Sequence, residues 1–130
     1  MLLQTALLLF VLLPPATRSA RTIHFIHTST EQILSNAEEC VVESIMKQHP
    51  DDKIIIHSNH FLHKIPGASI LEYDPFDIFA ESPLSEWYLS GRVPMDLSDA
   101  LRLAILYKYG GVYLDLDLIG CVYSRVFSSH

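Results

Sequence analysis

A chain of 130 residues with 49% hydrophobic and 18% charged positions is long enough for one compact domain and too apolar for a disordered one. Its formal net charge of -6, with no basic run, argues against nonspecific nucleic-acid binding and leaves nucleotides open only as small ligands. Two cysteines, Cys40 and Cys121, permit one disulfide and offer no metal-type Cys spacing.

The chain begins with an apolar run over residues 2–13, closed by Pro14 and Pro15 and followed by the small residues Ala16, Ser19 and Ala20. About a dozen apolar residues fall short of the ~20 that span a bilayer, so residues 1–20 read as a cleavable signal peptide or a short signal anchor. Entry into the secretory pathway follows from either, although no Asn-x-Ser/Thr acceptor is present.

Beyond this leader, β-rich and helical patterns alternate. Residues 22–27 form a short β run. Residues 31–48 carry Leu34, Ala37, Val41 and Ile45 at helical spacing and stop at Pro50, with Ser29 and Thr30 as a turn and N-cap. Residues 53–57 read as a buried strand, completing a βαβ unit with a right-handed crossover and parallel pairing. A further strand is expected over residues 69–73. One or two helical turns, interrupted by Pro83, are expected over residues 75–89, where Trp87 reads as core. His57, His60 and His63 form an H-x-x-H-x-x-H pattern; zinc is conceivable there, but no nearby Cys or carboxylate supports it, and a polar loop is the preferred reading. The order β-α-β-β-α-α-β predicts an open α/β sheet.

The run SDALRLAILYKYGGVYLDLDLI, from Ser98 to Ile119, is the richest in chemistry. A largely buried helix, capped by Asp96 or Ser98 and apolar at Leu97, Leu101, Ala104, Ile105 and Leu106, is expected to end with Gly110 as its left-handed C′ residue. Asp99 and Arg102 lie three apart on this helix, either as a local ion pair or as ligand-facing groups. A strand over residues 112–118 would place Tyr113, Asp115 and Asp117 on one face. Two neighbouring carboxylates repel unless screened, and a hard divalent cation is one remedy. An exposed edge strand with Asp on its wet side is the other reading. Open α/β sheets bind ligands beyond the carboxyl ends of their strands, which directs attention to His27, Thr28 and Ser29 and to Asp115 and Asp117.

Ser98, Asp99, Arg102, Leu106, Tyr107, Gly110, Gly111, Tyr113, Asp115 and Asp117 together resemble the S-D-x-x-R-x-x-x-L-Y-x-x-G-G-x-Y-x-D-x-D signature of family 32 glycosyltransferases, which carry a DXD sugar-binding region. The stretches SPLSEWY (residues 82–88) and CVVES (residues 40–44) resemble the alpha-1,4-glycosyltransferase branch of that family. The similarity covers roughly residues 23–119.

The resemblance implies a Rossmann-like GT-A nucleotide-sugar-binding fold, here its N-terminal half only: residues 21–119 would be the donor-binding part and residues 120–130 a divergent tail following a truncation. It implies a metal-dependent retaining enzyme that moves a hexose or N-acetylhexosamine from a UDP-sugar to a glycolipid or glycan, forming an alpha-1,4 linkage in the Golgi lumen or at its membrane. Asp117, with Asp115, would hold Mn²⁺, or Mg²⁺ in its place. Asp99, Arg102, Tyr113 and Asp115 would bind the donor sugar, with His27 and Thr28 beside the nucleoside; no residue is assigned as nucleophile. A noncatalytic nucleotide-sugar or metal-binding module is the alternative.

Overall fold

The computed structural model describes residues 20–91 and 97–117. The leader, the expected cap Asp96 and the divergent tail lie outside the described residues. Four strands, β1 (Thr22–His27), β2 (Lys53–Ser58), β3 (Ser69–Glu72) and β4 (Val112–Tyr113), form one parallel sheet in the order β3-β2-β1-β4. The helices are α1 (Asn36–Gln48), α2 (Pro75–Ala80), α3 (Ser85–Leu89) and α4 (Leu97–Tyr109).

Central strands of a parallel sheet are covered on both faces and therefore read as continuous apolar runs rather than alternations. Thus Ile23 and Phe25 of β1, with Ile54 and Ile56 of β2, pack against Val41, Val42 and Ile45 of α1. Ile26 turns to the opposite face, where Phe79 of α2 and Leu101, Ala104 and Ile105 of α4 cover it. The result is a three-layer α/β unit, as expected. Trp87 sits edge-on to Phe79, in keeping with a role in packing.

Several boundaries differ from the sequence expectation. α1 starts at Asn36, five residues later than expected. Ser35 caps it in an extended conformation: its Oγ accepts from the Glu38 amide, and Glu38 Oε2 accepts from the Ser35 amide in return. This reciprocal box satisfies two otherwise orphaned donors and fixes the start. Ser29 only closes a local turn onto the Glu31 amide. α4 is not buried all round, because Leu103 and Tyr107 on its outer side are exposed. Cys40 on α1 is disulfide-bonded.

The largest correction concerns β4, which has two residues rather than seven. It pairs with β1 through Ile23↔Val112 and His24↔Tyr113, and the chain then turns at Leu116 and Asp117. Asp is a poor strand residue, and here both aspartates follow the strand rather than extend it. The period-2 argument for their common face therefore falls, while their place beyond a strand's carboxyl end stands.

Candidate functional site

Strand order reverses at β1: the chain leaves it through α1 on one face to reach β2, and enters β4 through α4 on the other. Connections diverging to opposite faces open a crevice at the carboxyl ends of the two strands. A cleft of about 430 Å³ lies there, lined by Ile26 and Thr28 from β1 and its following loop, Ser35, Ala37 and Glu38 from α1, Ser98 and Arg102 from α4, and Tyr113, Asp115, Leu116 and Asp117.

Arg102 organises one wall. Its Nη2 donates to Asp115 Oδ1 at 3.1 Å and lies 3.1 Å from Asp99 Oδ1, while its guanidinium carbon stands 4.7 Å from the centre of the Tyr113 ring. The Asp99–Arg102 pair is a local ion pair, and Arg102 also lines the cleft. Asp99 itself is exposed and reaches the cleft only through Arg102. Burial raises the Tyr113 pKa to about 12, and the hydrogen-bonded Asp115 carboxylate adds to that against the opposing Arg102 charge. The phenol therefore keeps its proton at neutral pH and acts as a donor, not as a base. Asp117 is exposed, lines the cleft and engages no partner among the described residues.

Of the two groups at the end of β1, the structure brings Thr28 into the cleft and leaves His27 fully buried behind it. His27 Nε2 is 3.9 Å from Glu38 Oε2, and neither ring nitrogen has a hydrogen-bond partner among the described residues. Burial holds its pKa below the usual value, against the pull of Glu38. The H-x-x-H-x-x-H pattern does not act as a unit. His57 is fully buried within β2, in keeping with the strand expected over residues 53–57, His60 bonds Asn59 and the Glu31 carbonyl, and exposed His63 stacks edge-on with Phe61.

Sequence reasoning missed Glu38. Its S-x-x-E signature was readable as a capping box, but its position opposite Asp115 and Asp117 is a product of the sheet order. With it, three carboxylates face one guanidinium in the cleft. Such a cleft repels a diphosphate unless a cation intervenes. Two carboxylates just beyond a strand end, Asp117 exposed and Asp115 partly so, suit Mg²⁺ or Mn²⁺, which take one or two protein carboxylates and complete their shells from water and phosphate. The donor set thus fits a divalent cation, although no cluster of three or more metal-ligating side chains occurs among the described residues.

Residues 35–124 match the family described as glycosyltransferase sugar-binding region containing DXD motif, and the chain belongs to that family. Its parallel α/β sheet is that of a GT-A-like glycosyltransferase unit. Among curated relatives, lactosylceramide 4-alpha-galactosyltransferase of Rattus norvegicus is 30% identical over 127 residues, covering 81% of this chain and 35% of the relative. The Homo sapiens protein of the same name is 30% identical over 119 residues, covering 75% of this chain and 33% of its own length. Alpha-1,4-N-acetylglucosaminyltransferase of Homo sapiens is 30% identical over 122 residues, covering 76% and 36% respectively. The chain therefore spans about a third of the length of these curated relatives. No solved structure matches it.

Proposed function

We propose that the cleft between β1 and β4 is the donor site of a metal-dependent, retaining alpha-1,4-glycosyltransferase, binding a UDP-sugar whose hexose or N-acetylhexosamine passes to a glycolipid or glycan acceptor. The observation that carries this reading is the convergence of Arg102, Tyr113, Asp115 and Asp117 at the switch point of the sheet, in a cleft whose carboxylates outnumber its cations. The relatives' names, one a galactosyltransferase acting on lactosylceramide and one an N-acetylglucosaminyltransferase, support the substrate class and leave two donor sugars in view.

Asp115 and Asp117 would hold the divalent cation, Mn²⁺ in preference to Mg²⁺. When bound, it supplies positive charge against which a nucleoside diphosphate can leave. Arg102 orients Asp115 and adds its own charge beside the departing diphosphate, a fixed dipole arrangement that needs no reorganisation during transfer. Asp99 keeps Arg102 in place from its exposed side and would act on the donor sugar through that arginine. The protonated Tyr113 phenol donates to Asp115, and its ring would line the pocket beside the sugar or nucleoside. Thr28 would contribute a hydroxyl at the nucleoside end, with His27 buried behind the cleft. No side chain is assigned as a nucleophile. Among the described residues no helix is long and apolar enough to cross a membrane, and the secretory leader and Golgi location remain part of this proposal.

The test is transfer. UDP-galactose and UDP-N-acetylglucosamine are incubated with a galactose-terminated glycolipid, Mn²⁺ and either the wild type or Asp117→Ala. Metal-dependent product that disappears in the variant supports the enzyme. Metal-dependent donor binding without product points instead to a nucleotide-sugar-binding module.

A further inference from the structure

We propose that His24 is a positioning residue for the donor cleft, fixing the segment that delivers Asp115 and Asp117. The inference rests on the donor-site reading above for its functional consequence, but its geometry stands separately. β4 is only two residues long, and it is preceded by Gly110 and Gly111, both with positive φ. A two-residue strand entered through two glycines has little of its own to hold it in place.

His24 grips this segment at both ends. Its ring Nε2 is 2.9 Å from the Gly110 carbonyl oxygen, and its own carbonyl accepts from the Leu114 amide at 3.0 Å. Leu114 immediately precedes Asp115, so one residue of the central strand brackets the approach to the carboxylates. Gly111 fits closely between them: a Cβ there would collide with the Thr22 carbonyl and lie 3.1 Å from His24 Nε2.

The ring is itself oriented. A carbonyl only accepts, so His24 Nε2 carries the proton and Nδ1 is left as an acceptor. His57 Nε2, 2.9 Å from that Nδ1, must then donate, which leaves His57 Nδ1 as the buried nitrogen without a partner among the described residues. Tyr109 of α4 lies 5.9 Å from the His24 ring and 5.7 Å from the His57 ring, and Tyr73 closes the far side of His57 at 6.5 Å. Lys53 is the charged group whose field reaches His24. Two fully buried histidines thus form a directed chain, His57 to His24 to Gly110, ending on the backbone that leads into the site.

Amide hydrogen exchange and calorimetric titration with UDP plus Mn²⁺ test this in the full chain. His24→Leu should speed exchange at Leu114 by roughly tenfold or more, leave Phe25 and Ile56 unchanged, and weaken UDP–Mn²⁺ binding by at least about tenfold. His24→Gln, which can donate to Gly110 and accept from His57, should restore both to within about threefold of the wild type. Should His24→Leu fail to fold, His57→Phe keeps the His24 contact to Gly110 but removes its orienting donor, and a smaller rise in exchange confined to Leu114 together with a smaller loss of UDP–Mn²⁺ affinity is expected. Wild-type exchange and affinity in the folded variants would overturn the proposal. A wild type that never binds UDP–Mn²⁺ would sink the donor-site reading, while the exchange comparison would still decide whether His24 holds the segment.

Discussion

Arg102 Nη2 and Asp115 Oδ1 lie 3.1 Å apart, joining α4 to the loop after β4 across the wall of the cleft. Both side chains are more than a third exposed, at 36% and 44%, so water screens the pair and its worth to stability is at most about 1 kcal/mol. Its significance is geometric. The same nitrogen also meets Asp99, so one guanidinium carries two carboxylates and rests on Tyr113.

Replacing Arg102 with alanine should therefore separate stability from binding. Chemical denaturation should shift by no more than about 1 kcal/mol, while UDP–Mn²⁺ affinity falls by roughly tenfold or more as Asp115 loses its orientation. Arg102→Lys should recover little of the loss, because an ammonium cannot reproduce the planar contact with Tyr113 and two carboxylates. Parallel denaturation and titration curves would check both statements.

The double glycine gives a second contrast. Gly110 has a φ of 66° and open space where a Cβ would stand, so Gly110→Ala should cost about 1 kcal/mol, the ordinary penalty of a left-handed alanine. Gly111 has a φ of 86° and a Cβ there would strike the Thr22 carbonyl. Gly111→Ala should cost roughly 3 kcal/mol or more and displace β4, measured by urea unfolding together with loss of Leu114 exchange protection. Equal costs at the two positions would contradict the close approach of β4 to β1.

Acid should weaken the fold through the buried histidines. Burial lowers the His57 pKa from 6.5 to about 4, with the neighbouring His24 adding to the shift, and burial also lowers that of His24. The unfolded chain then binds more protons than the folded one between these values. Stability from this source is complete above pH 6.5 and declines as pH falls toward 4, by roughly 2–3 kcal/mol for His57. Comparing wild type with His57→Gln in urea at pH 7.5 and pH 4.5 isolates the effect, since the variant should lose about that much less on acidification.

Loss of the α1 cap supplies a local control. Ser35→Ala removes the acceptor for the Glu38 amide and should lower stability by about 1 kcal/mol. Glu38→Gln keeps an oxygen for the Ser35 amide and removes one negative charge from the cleft. It should leave the melting temperature nearly unchanged while shifting the Mn²⁺ dependence of UDP binding.

Much of this unit was legible in the sequence because its signals are local. β1 occupies the six residues that its β-rich pattern marks, and Gly110 takes the left-handed position that ends α4. The fixed spacing of Asp99, Arg102, Tyr113, Asp115 and Asp117 marks a segment that lies within the family match over residues 35–124. Failures arose where tertiary pairing decides. Alternation in VYLDLDL continues past the end of β4, but His24 offers β4 its last paired residue, so the strand stops at Tyr113. The apolar spacing of residues 31–48 concealed the capping box at Ser35 and Glu38, which sets the true start of α1. His24 and His57 gave no periodic signal, because a buried polar pair depends on register across strands 33 residues apart in sequence.

Whether this cleft holds a nucleotide sugar through a cation on Asp115 and Asp117 is decided by titrating the folded chain with UDP-galactose in the presence of Mn²⁺ and again in EDTA. Saturable binding is expected with Mn²⁺, falling by roughly 100-fold or more in EDTA or in Asp117→Ala. Equal affinity with and without the cation, or no binding by a chain shown to be folded, would contradict it.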